Sequence, residues 1–211
     1  AAFGGHYDLV FFFIDKGADD WNSGLVSATE EGHKELVELF INKGADNFNE
    51  GMSASAAEGY KDLIDLFIEK GANDWNEGMI CATISGHKEL ILFFIEKGAN
   101  DWNGGMYEAA QGGYKELVQF YLNKGASNLN ECMIVSASSG FKELVLLFIS
   151  KGANDWNGGI KAAKRNGHKE LYELFIQKGA IDLNKGVCNA TITGINKLPA
   201  LVIDKSYKFY I

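Results

Sequence analysis

Proline is nearly missing. Pro199 is the only one in 211 residues, so nothing before it removes a helical N–H or kinks a helix. Cysteine is scarce as well. Cys81, Cys132 and Cys188 fall at unrelated places with no CxxC pair, which argues against a disulfide frame or a thiolate metal site and for incidental thiols in a reducing compartment. Positive charge is in deficit: 20 Lys and Arg against 28 Asp and Glu leave a net charge of −8. That is the wrong sign for a surface that binds nucleic acid. No apolar run approaches the ~18 residues of a membrane span; the longest, such as Leu9 to Ile14, are single helix stripes. There is no phosphate-cradling glycine loop, no HExxH and no nucleophile–base pair. The expectation is therefore a non-enzyme with no cofactor and no metal.

What the chain has in abundance is repetition. Gly-Ala stands at 17, 44, 71, 98, 125, 152 and 179, always 27 residues apart. A fixed period of this size marks a repeat array, in which each unit leans on its neighbours for a core. Numbered from the Asn at 22, 49, 76, 103, 130, 157 and 184, the unit has Gly at position 11 and Leu at position 15 in every copy. The array is expected to span 1–183, with a partial first repeat at 1–21 and six full repeats from 22. Residues 184–211 read as a degenerate C-terminal capping repeat, because Asn196, Pro199 and Ser206-Tyr207 break the pattern. No signal peptide is visible. Ala1 aligns with position 7, inside a helix, so the chain is expected to belong to a longer array.

Each unit divides at its central glycine. Positions 2 to 10 carry small or apolar residues at 4, 7 and 8, such as Met79, Ala82 and Thr83, a single helix face. The Asn at position 1 is expected to cap that helix, and the glycine to end it in a left-handed turn. Positions 13 to 22, Lys34 to Lys43 in one copy, predict a second helix with apolar residues around well over half its girth. Such a helix must be covered on several sides. Both helices are too short to stand alone in water. The fold class is thus all-α, an α-solenoid of stacked helix-turn-helix units.

The histidines (His6, His33, His87, His168) share position 12 with Tyr60, Tyr114 and Phe141. Phe cannot do a histidine's chemistry, so a helix-start residue packing on the adjacent unit is expected. Trp21, Trp75, Trp102 and Trp156 share position 27 with Phe48, Leu129 and Leu183, which favours a hydrophobic ladder over an aromatic cage for a cation. Carboxylates such as Glu35 and Glu38 recur on a solvated ridge of the second helix.

The segment 32–46, Gly-His-Lys-Glu-Leu-Val-Glu-Leu-Phe-Ile-Asn-Lys-Gly-Ala-Asp, resembles the second half of an ankyrin repeat, GH-LEIV-LLL-GAD. Ala at position 7 with a small residue at 8 resembles the ankyrin Ala-Ala. The likeness covers nearly the whole chain and recurs in phase. It departs in one respect: ankyrin units run to about 33 residues, and here the Thr-Pro-Leu-His segment is missing. A tight Asp-Trp-Asn-Glu-Gly turn replaces the β-hairpin finger. Such compact units look most similar to ankyrin-type arrays of giant DNA viruses of amoebae. The resemblance implies a protein-binding scaffold in the cytoplasm (host cytoplasm or virion, if viral), with positions 9 and 10 lining a concave groove.

Those positions vary most from copy to copy. The groove would run from acidic (Glu30, Glu31, Glu58), through apolar and neutral (Ile84, Tyr107, Gln111, Ser138), to basic (Lys161, Arg165). These nine are the candidate partner-binding residues, with Ile84 the best single contact. A second surface is the ridge at position 17, where Phe11, Leu92 and Leu146 interrupt a polar row. Apolar residues there suggest lateral packing on another chain, and self-association would follow. The alternative function is a structural component of a virion or filament, assembled through apolar ends and this ridge.

Overall fold

A computed structural model describes residues 1–180. Among the described residues there are thirteen α-helices and no strand. After α1 (Tyr7–Asp15) the helices come in pairs: α2 (Trp21–Glu30) with α3 (Lys34–Lys43), α4 (Phe48–Glu58) with α5 (Lys61–Glu69), and α6 (Trp75–Ile84) with α7 (Lys88–Lys97). There follow α8 (Trp102–Gln111) with α9 (Lys115–Lys124), α10 (Leu129–Ser139) with α11 (Lys142–Ser150), and α12 (Trp156–Arg165) with α13 (Lys169–Gln177). The all-α solenoid is what the sequence pattern requires. The expected capping repeat at 184–211, with Cys188 and Pro199, lies outside the described residues.

The second helices begin where expected, at position 13. The first helices begin earlier, on the position-27 residue (Trp, Phe or Leu), and the expected cap moves with them. The N-cap is the residue before, not the Asn after. Asp20, Asp74, Asp101 and Asp155 accept from the backbone N–H of Ser23, Glu77, Gly104 and Gly158 at 3.1, 3.1, 2.9 and 2.8 Å. A carboxylate suits the positive end of the helix.

The asparagine thereby freed inside the first turn joins one repeat to the next. Asn49 Oδ1 accepts from the N–H of Asn73 at 2.7 Å and of Asp74 at 3.0 Å. Asn76 does the same for Asn100 and Asp101, and Asn130 for Asn154 and Asp155. Asn22 takes Asp46 and Asn47, and Asn103 takes Ser127. Each bond satisfies N–H groups of a tight turn that no helix can serve. Both turns of the unit need a left-handed residue: Gly86 after α6 has φ +75° and Gly98 after α7 has φ +119°, values that only glycine adopts without strain.

The core follows the period. Leu36, Val37 and Phe40 of a second helix are buried, and so are Met79, Ala82 and Thr83 of a first. One core position escaped the sequence reading. Position 3 is usually glycine, and the tip of the position-19 ring abuts it: a Cβ on Gly78 would meet Phe94 at 2.5 Å, and one on Gly105 would meet Tyr121 at 2.4 Å. Only Cys132 puts a side chain there, and it too is fully buried. These small residues let the two helices of a unit approach closely; successive first helices in turn pack on one another more closely than successive second helices do. The first helices therefore form one continuous face.

Candidate functional site

Much of the recurrent surface chemistry serves stacking. The position-12 rings reach back to the preceding repeat, as expected. His33, His87 and His168 place Nε2 at 3.2, 3.0 and 2.9 Å from the carbonyl oxygens of Phe3, Ala57 and Ser138, and the Tyr114 hydroxyl donates to Ile84 O at 3.2 Å. Phe141 lacks the polar atom but still covers Gly113. The tryptophans are half-buried against the core. Part of the carboxylate ridge is a staircase of ion pairs. The Lys at position 13 meets the acid at position 14 of the next unit: Lys88 with Glu116, Lys115 with Glu143 at 2.9 Å, Lys142 with Glu170 at 2.9 Å. The recurrent Lys-Glu dipeptide carried that signal, but the sequence does not show that the two residues pair across units.

On the first-helix face the candidate residues divide. Tyr107, Ser138, Lys161 and Arg165 line one recess of about 410 Å³ between α8, α10 and α12. Its floor is apolar: Ile134 shares repeat position 5 with Tyr107 and Lys161, and Val135 lies beneath. Space comes from Gly158, whose missing side chain leaves room for Ile134 Cδ1; a Cβ there would sit 2.5 Å from it. The far wall is fixed, because Asn166 Nδ2 donates to Ser138 Oγ at 2.9 Å and to Ala162 O at 3.0 Å. Glu131 closes the opposite corner and accepts from Asn128 Nδ2 at 3.3 Å. Glu131, Ile134 and Val135 are not among the residues the sequence singles out, although Ile134 shares its register with Tyr107.

The other candidates lie elsewhere. Ile84 is 49% exposed and stands outside the recess, as do Gln111 and the exposed Glu30, Glu31 and Glu58. Around Cys81 the surface is acidic, with Asp74, Glu77 and Glu108, which positions 9 and 10 did not reveal. Burial, then Glu77, raise the Glu108 carboxyl above the usual carboxylate range. Burial, then Glu77, push the Cys81 thiol up to about 12, so it is inert as a nucleophile. Among the described residues no cluster of His, Cys, Asp and Glu could hold a metal ion, and no helix is long and apolar enough to cross a membrane.

On the ridge, Phe11, Leu92 and Leu146 are 48%, 51% and 43% exposed. They project from the stack and do not fill the core edge. Leu92 borders a shallow groove with Ile91, Leu117 and Phe120. No family model matches this chain, and no curated protein matches it.

Proposed function

We propose that this chain is a non-catalytic, ankyrin-like scaffold that docks protein partners on its first-helix face. The observation that carries the reading is the convergence of Tyr107, Ser138, Lys161 and Arg165 on one recess. They come from three successive repeats and rim an apolar floor of Ile134 and Val135, the anatomy of a protein-docking patch. A stack whose turns are tied unit to unit loses little freedom on docking. The 27-residue units and their likeness to viral ankyrin-type arrays support a giant-virus origin and a working place in host cytoplasm or virion.

The test is capture of protein from a lysate by the wild-type array and by Ile84→Asp combined with Tyr107→Asp. Both side chains are exposed, so the helical circular dichroism should hold while capture is lost. Unchanged capture would clear this face of the role.

A second reading rests on the exposed Phe11, Leu92 and Leu146 of the ridge. Apolar residues recurring along a solvated ridge favour lateral assembly, as in a structural element of a virion or filament. Sedimentation separates the two: a monomer at micromolar concentration supports the scaffold, and concentration-dependent growth supports assembly.

A further inference from the structure

The geometry points to an extended acidic peptide as the occupant of the α8–α10–α12 recess, with carboxylates at alternate positions and an apolar side chain preceding them. This inference rests on the docking reading and specifies its partner. Lys161 and Arg165 are exposed on α12, four residues apart, and no described residue forms an ion pair or hydrogen bond with either. On the second helices Lys88, Lys115 and Lys142 each meet a carboxylate of the next unit, whereas among the described first helices only α12 carries Lys or Arg at all. Two unpaired cations beside an apolar floor, on a protein of net charge −8, are a local reversal of sign.

The spacing suits an extended ligand. Four residues of α-helix advance about 6 Å. Alternate residues of an extended chain point the same way and stand about 7 Å apart. Two carboxylates at i and i+2 of a strand-like segment therefore match Lys161 and Arg165. A third side chain on that face, at i−2, falls toward the start of α12, over Gly158 and the Ile134 Cδ1 that packs on it, where an aliphatic group is covered. Ser138 accepts from Asn166 and keeps its own proton for a carboxylate or a peptide carbonyl. Glu131 at the opposite corner repels an acidic residue there and so sets the direction in which the peptide lies.

The experiment titrates the full chain against three fluorescein-labelled peptides built on Leu-Ser-Glu-Ser-Glu, Leu-Ser-Gln-Ser-Gln and Leu-Ser-Lys-Ser-Lys, read by anisotropy at low salt. The Glu peptide should bind, and the Gln peptide should bind roughly tenfold more weakly, the loss of two exposed charge pairs. Added salt should narrow that gap. Lys161→Glu with Arg165→Glu should exchange the preference, taking up the Lys peptide; both residues are exposed, so circular dichroism checks that the fold is kept. Failure of the Glu peptide to bind by about 1 mM, or equal binding of all three, overturns the inference. If it fails while Ile84→Asp with Tyr107→Asp still abolishes protein capture, the acidic occupant falls and the docking face stands. If that variant also captures normally, both fall.

Discussion

The Tyr121 hydroxyl lies 2.5 Å from Thr83 Oγ1, across the boundary between two repeats and wholly inside the core. Thr83 already gives its proton to Met79 O at 2.8 Å, so Tyr121 is the donor. Every other described copy has Phe at that place in the period. Burial pushes the Tyr121 phenol up to about 12, which keeps it protonated and donating.

This pair makes an asymmetric prediction. Tyr121→Phe leaves Thr83 with its proton still placed and should cost about 1 kcal/mol; Thr83→Ala leaves a buried phenol without an acceptor and should cost about 1–3 kcal/mol. The double variant should recover part of the loss, because it recreates the Ala56 and Phe94 combination that the array already contains. Urea denaturation of the four proteins measures the coupling, and additive losses would refute it.

At Gly78 two effects oppose each other. Gly→Ala inside a helix normally stabilises by about 1 kcal/mol. Here the new Cβ would sit 2.5 Å from the Phe94 ring, and overpacking costs about 1–3 kcal/mol. The sign should therefore invert, and Gly78→Ala should lower the melting temperature. A rise would show that the ring gives way freely.

Asn76 accepts from the N–H groups of Asn100 and Asp101 at 2.7 and 3.0 Å. Asn76→Ala should cost about 1 kcal/mol and speed amide exchange at those two residues while leaving helix content unchanged. Asn76→Asp keeps the acceptor oxygen and should restore protection. Exchange unaltered in the alanine variant would remove the asparagine from its joining role.

Carboxylates on the two faces should respond oppositely to pH. The hydrogen bond from Lys88, then its charge, hold Glu116 below the usual carboxylate range. A folded pKa lowered in this way supports folding above the unfolded value of about 4.3, and that support goes as pH falls through the folded value. Glu108 is raised by burial and by Glu77, so its ionised form opposes folding at neutral pH. That opposition fades as pH drops through the raised value toward about 4.3. Glu108→Gln should thus raise the melting temperature at pH 7 and do nothing near pH 3. Glu116→Gln should lower it slightly at pH 7 in low salt only.

The period, the helix pairs and the buried Leu and Phe-Ile stripes could be read from residue order alone, because apolar spacing dictates which face of a helix avoids water. Sequence also placed Tyr107, Ser138, Lys161 and Arg165 on one side of their helices. Residue order could not say which atoms meet 24 to 30 positions away. The asparagine looked like a local cap because Asn caps are local by habit; once Asp took the cap, its amide was free to reach the next turn. The position-3 glycines looked like turn residues until Phe94 and Tyr121 were seen to rest on them. The recess likewise needs Gly158 of one layer, Ile134 of the layer before it and Tyr107 of the layer before that. Periodicity fixes what each layer presents, and only the distance and angle between layers decide which presented groups touch.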